Sequence, residues 1–118
     1  LANKMSQSNK VDKIANLRAL LALQWLWPGK KSLFMGCDFG QMNEWNYGSF
    51  LDWELLENPL HAGVKKMISD LNHLYKSHLT WFKNDHKPDK FSWVECNDRD
   101  GQTLSFLKYG NVENAQFL

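Results

Sequence analysis

Residues 31–53 read KSLFMGCDFGQMNEWNYGSFLDW. The stretch starts as a short apolar run, Ser32-Leu33-Phe34-Met35, and breaks at Gly36. It then becomes a polar and aromatic loop carrying Asp38, Gln41, Asn43, Glu44, Trp45, Asn46, Asp52 and Trp53. Apolar residues without alternation suit a strand, Lys31–Met35, buried on both faces as in a parallel sheet. A loop leaving the carboxyl end of such a strand is where α/β folds put their ligand sites.

On either side of this stretch the periodicity turns helical. Ile14, Leu17, Leu20, Leu21 and Gln24/Trp25 recur at helical spacing, with Ala15, Ala19 and Ala22 between them. That helix should begin near Val11, after the polar residues 1–10, and stop near Trp27 because Pro28-Gly29 cannot continue it. Downstream, Asn58-Pro59 reads as a helix cap and first helical residue. The next helix should run from Leu60 to Ser77, with Leu60, Val64, Met67/Ile68, Leu71 and Leu74/Tyr75 on its buried face and Lys65, Lys66, Ser69, Asp70, Asn72 and Lys76 in water.

The pattern changes at about Ser77. After a short aromatic piece, Leu79 to Phe82, and a polar link, Phe91–Cys96 and Thr103–Tyr109 read as two strands joined by the turn-rich Asn97 to Gln102, an antiparallel hairpin. Helix, strand, loop, helix and then β-only structure is an α/β order that fits the last βα unit of a barrel feeding an all-β appendage.

Composition narrows the function classes. The chain has 118 residues, 43% apolar, with 14 basic against 13 acidic residues and a net charge of +1. A mixed, nearly neutral chain lacks the basic face of a nucleic-acid binder, and no apolar run approaches the ~20 residues that span a bilayer. Leu1-Ala2-Asn3 opens without a Met and without a signal-peptide pattern. The expectation is a chain cut from something longer. Cys37 and Cys96 are far apart with no CxxC partner, which reads as two reduced cysteines of a cytoplasmic protein rather than a metal site. Six Trp in so short a chain is the unusual number, because flat amphipathic rings suit partners with both apolar and polar faces.

Within the loop, Asp38, Glu44 and Asp52 stand among Trp45, Tyr47, Trp53 and several amides. Two carboxylates ~5 Å apart can run a retaining glycosidic displacement, but spacing in sequence does not establish that separation. The bland reading is solvated or hydrogen-bonded loop carboxylates, or ligand contact without catalysis. The aromatic-amide mixture suits sugars, whose C–H faces stack on rings and whose hydroxyls pair with Asp, Glu, Asn and Gln, while Trp45 and Trp53 serve equally well as packing. His73 and His78 are five apart and do not share a helix face, so His61, His73, His78 and His86 read as surface or capping residues. Gly36 to Gly40 lacks the Lys and Ser/Thr of a phosphate loop, and no Ser sits in a GxSxG elbow.

The run LFMGCDFGQMNEWN, followed by Ser49-Phe50-Leu51-Asp52-Trp53, Pro59-Leu60-His61, Gly63-Val64, Asp70-Leu71-Asn72 and Leu74-Tyr75, resembles the bacterial glycogen branching enzymes, 1,4-α-glucan branching enzymes of the α-amylase superfamily. Lys13 to Arg18, Trp27 to Lys31, Phe91 to Asp98 and Leu104 to Leu107 extend the resemblance over essentially the whole chain. It implies that residues 1–78 hold the last strand and helix of a (β/α)8 TIM barrel and residues 79–118 the first strands of an all-β C-terminal domain. It implies that the catalytic carboxylates lie on earlier strands, none of them in this chain, so that the piece is inert alone. The loop would wall an α-glucan cleft, with Asp38, Gln41, Glu44, Trp45, Asn46, Asp52 and Trp53 as substrate-binding residues. It further implies a cytoplasmic, monomeric full-length enzyme without metal or organic cofactor. Two departures from the family pattern stand out: Asp38 replaces a usual Glu, and Ser6-Gln7-Ser8-Asn9 replaces a Met-Pro-Gly-Asp-like turn. Another α-amylase-superfamily hydrolase or trehalose-forming enzyme, or a non-catalytic carbohydrate-binding module, are the alternatives.

Overall fold

The computed structural model of the protein describes residues 1–110, in two compact units. The first comprises Leu1–Trp27 and Lys31–Leu74; the second comprises Pro28–Lys30 and the chain from Tyr75 onward.

In the first unit, a single 3-10 turn at Ala2–Lys4 precedes α1, Lys10–Leu26. Asn9 caps α1 as a side chain of its type should: its Oδ1 accepts from the Asp12 amide at 2.9 Å. Trp27 leaves the helix in extended geometry, as the residue before a proline is forced to do. The apolar face of α1 buries Ile14, Leu17, Leu21 and Trp25 and leaves Leu20 partly in water. Against these residues lie Phe39 and the inner face of α2, Pro59–Ser77, which buries His61, Val64 and Ile68. Pro59 opens α2 as expected, with Asn58 Oδ1 accepting from the Leu60 amide at 3.0 Å. Trp25 Nε1 donates to Asn72 Oδ1 at 3.3 Å, tying α1 to the outer turns of α2.

Gly40 threads the loop through this core. Its φ is +68°, and a methyl group there would stand 3.1 Å from Leu17 Cδ2 and 3.3 Å from Ile14 Cδ1. Only glycine combines that backbone with that clearance.

The strand expected at Lys31–Met35 is not formed. Among the described residues, 31–34 have no regular structure, and Leu33, Phe34 and Met35 are exposed rather than buried on both faces. The physical reason is pairing: a strand is stabilised by neighbours that take up its amides and carbonyls. Among the described residues no strand lies alongside, and the Ser32 carbonyl accepts instead from Gln24 Nε2 of α1 at 2.6 Å.

In the second unit, the last residues of α2 lead into α3, Leu79–Phe82, which buries Trp81 and Phe82. A 3-10 turn at Pro88–Lys90 then starts a hairpin of β1, Phe91–Asp98, and β2, Thr103–Lys108. The hairpin is antiparallel as expected, but the region is not β-only, because a helical turn and a 3-10 turn precede it. Trp93 pairs with Phe106 across the strands, and their rings meet edge to face at 5.8 Å. The register slips between Trp93 and Glu95 and again before Asp98, where Asp98 Oδ1 accepts from the Gly101 amide at 2.7 Å and tightens the turn. Residues 111–118, the last of the stretch expected to begin the β-domain, lie outside the described residues.

Lys108 is the unusual core residue. Its ammonium is buried, 2.6 Å from Asp85 Oδ1 and 4.3 Å from the centre of the Phe82 ring. The other Asp85 oxygen accepts from the Gly29 amide at 3.3 Å. A buried charge persists only when paired and hydrogen-bonded, and this arrangement meets both conditions.

Candidate functional site

The loop after Met35 descends through a 3-10 turn, Cys37–Phe39, that buries the Phe39 ring completely and leaves Asp38 half-buried on the same turn. The Phe39 carbonyl receives His61 Nδ1 at 2.9 Å. His61 is therefore not a surface or capping histidine: its ring is fully buried beneath the loop, a placement set by the partner carbonyl and invisible to periodicity. Nδ1–H donates to that carbonyl, and Nε2, among the described residues, meets no hydrogen-bond partner. His73 and His86 do lie at the surface, His73 Nδ1 meeting the Ser69 carbonyl of its own helix at 2.8 Å.

Gln41, Asn43 and Asp52 are brought together. Gln41 Oε1 accepts from the Asp52 amide at 3.0 Å, Gln41 Nε2 donates to the Asn43 carbonyl at 3.2 Å, and Asn43 Nδ2 donates to Asp52 Oδ2 at 3.0 Å. Between these feet, residues 43–50 are exposed, with Tyr47 and Phe50 at 90% and 94%. Asn46 is engaged in its own turn, Oδ1 accepting from the Gly48 amide at 2.9 Å and its carbonyl accepting from the Ser49 amide at 3.2 Å.

The two loop tryptophans divide. Trp53 lies 5.1 Å from the buried Phe39 ring with the Lys65 ammonium 5.7 Å from its own ring, so one face belongs to the core. Trp45 meets the edge of Phe34, at 5.4 Å and 82°, and Phe34 is itself 61% exposed. Trp45, Phe34, Met35, Lys4 and Glu44 flank an open depression of about 430 Å³. Across it Lys4 Nζ and Glu44 Oε1 pair at 2.8 Å. The hydrogen bond from Lys4, and then its charge, hold the Glu44 carboxyl below the usual range, and Glu44 reciprocally raises Lys4.

The site residues named from sequence thus fall into a clasp (Gln41 and Asp52), the wall of a depression (Glu44 and Trp45), a core-packed ring (Trp53), a turn former (Asn46) and Asp38 on its 3-10 turn. Lys4 and Phe34 belong to the same depression and were not legible as such, since one sits in a polar leader and the other in an apolar run. A ring beside an ion pair in an open depression can bind a ligand with alternating apolar and hydroxylated faces. Among the described residues there is no grouping of His, Cys, Asp and Glu able to hold a metal ion, and no helix is long and apolar enough to cross a membrane.

No family model matches the chain. It is 48% identical over 103 residues to the 1,4-alpha-glucan branching enzyme GlgB of Frankia casuarinae, which covers 87% of this chain and 13% of that enzyme. It is 48% identical over 102 residues to the enzyme of the same name from Prochlorococcus marinus, and 46% identical over 99 residues to that of Nocardia farcinica. The chain spans only about an eighth of the length of the relatives it matches, in their carboxy-terminal portion.

Proposed function

We propose, because this chain belongs to the 1,4-alpha-glucan branching enzyme family as a segment of a longer member, that the full-length protein builds α-1,6 branches in glycogen-like α-glucans. The observation that carries the reading is the 48% identity running through nine-tenths of the chain, the loop of residues 31–53 included, between proteins of that name and this one. The enzyme cuts an α-1,4 bond, holds the severed chain as a glycosyl ester on a carboxylate, and passes it to the 6-hydroxyl of a second glucan. Water must be kept from that ester, so loops must wall the cleft.

In this reading residues 1–78 are the last βα unit of a (β/α)8 barrel, and residues 79–118 start the C-terminal β-domain. The bare apolar run Ser32–Met35 supports it: a strand whose sheet neighbours belong to the rest of the barrel would leave its side chains exposed in isolation. The segment contributes no catalytic carboxylate, and Glu44, Trp45 and the closed loop form part of the glucan wall. The enzyme works in the cytoplasm as a monomer and draws on no cofactor.

The test is the full-length enzyme on amylose. Branching predicts loss of iodine colour with the number of reducing ends unchanged. Reducing ends rising in step with the loss of colour would make the protein a hydrolase.

A further inference from the structure

We infer that Gln41 is a positioning residue: its buried amide clamps the two feet of the loop and so sets where Glu44 and Trp45 stand. For what the loop meets, this rests on the reading under Proposed function; the clamp itself does not.

Gln41 is 6% exposed and lies at the floor of the depression that Trp45 and Glu44 wall. Both ends of its amide are used within the loop, the oxygen by the Asp52 amide at 3.0 Å and the nitrogen by the Asn43 carbonyl at 3.2 Å. Its own backbone amide donates to the Gly36 carbonyl at 2.9 Å, which fixes the base of the clamp. Gly36 makes the room: its φ is +76°, and a methyl group there would lie 2.9 Å from Gln41 Cβ. The Asn43–Asp52 bond is a second rung beside the first. The amide accepts on one side and donates on the other: a carboxylate accepts but does not donate, and a thioether of the same length is at most a weak acceptor. Opening the clamp frees residues 43–50, which have little burial of their own to hold them.

The experiment uses the full-length enzyme with Gln41→Met and Gln41→Glu. Hydrogen exchange at the Asp52 amide and through residues 43–50 should quicken in Gln41→Met and rise less in Gln41→Glu, which keeps the acceptor. The KM for amylose should rise about tenfold in Gln41→Met with kcat held within about twofold, the signature of lost binding rather than lost chemistry. Unaltered exchange in both variants would overturn the clamp. Quicker exchange with an unaltered KM would overturn its service to binding and leave Gln41 as a stabilising residue only. An enzyme that makes no branches before any substitution sinks the proposed function, and the exchange data still decide the clamp.

Discussion

Trp45 and Trp53 show how neighbours, not residue type, decide what a side chain does. Trp53 lies on the buried Phe39 ring, and its truncation to Ala removes packing. With half its surface already in water, Trp53→Ala should cost about 2 kcal/mol of stability, read as a lower Tm, with turnover by the folded fraction unchanged. Trp45 meets the edge of Phe34 and stands 43% exposed at the rim of the depression. Trp45→Ala in the full-length enzyme should raise the KM for amylose about three- to tenfold in the folded fraction, the range of one aromatic stacking contact, over and above the Tm lost with its covered surface. A fall in Tm without a kinetic effect would make Trp45 a packing residue.

The Lys4–Glu44 pair carries a pH dependence with a definite sign. Glu44 is held low, so its share of stability is present above the ordinary glutamate range and is lost as pH falls through its lowered folded value. Lys4 is held high, so its share is present below the ordinary lysine range and is lost as pH rises through its raised folded value. Both groups are exposed, so salt should screen the effect. NMR titration of the Glu44 carboxyl should show a value below the glutamate norm that returns upward in Lys4→Met and in high salt. A Glu44 titration indifferent to Lys4→Met would show that the pair is not formed in solution.

At the scale of elements, the helices were legible because their signals are local. Apolar spacing, an Asn cap at each start, Pro28 after α1 and Pro59 opening α2 lie within a few residues of what they specify, and α1 and α2 fall within a residue or two of expectation. The hairpin was legible for the same reason, its turn being built from residues that lie between the strands. The Lys31–Met35 strand was not, since a parallel strand depends on partners distant in sequence and here those partners are not alongside. The buried His61 and the clamp of Gln41 were likewise hidden, because each depends on one carbonyl or amide brought near by folding. The site loop was therefore found as a stretch, while the work of its individual residues was not. Lys108 gives the element-scale prediction, because a two-stranded hairpin is marginal by itself and this one is anchored through a buried charge. Asp85→Ala strands the ammonium and should destabilise the region by about 3–5 kcal/mol, whereas Lys108→Met, leaving Asp85 the Gly29 amide, should cost clearly less. Thermal unfolding of the two variants in the full-length protein checks the order; equal losses would mean the pair contributes only bulk.

For the whole molecule, the described residues form two units, each with surfaces that a finished protein covers. Among the described residues the two-stranded sheet has no third strand on either side, and Leu33, Phe34, Val94 and Leu104 stand in water. Exposed strand edges and apolar side chains of this kind suit a part whose neighbours come from elsewhere in a longer chain. That agrees with a match confined to about an eighth of each relative. The most direct measurement is the linkage content of amylose treated with the full-length enzyme and, separately, with this segment alone. The account predicts new α-1,6 anomeric signals at constant reducing-end count from the full-length enzyme and none from the segment. Branch formation by the isolated segment, or its absence with the full-length enzyme, would contradict it.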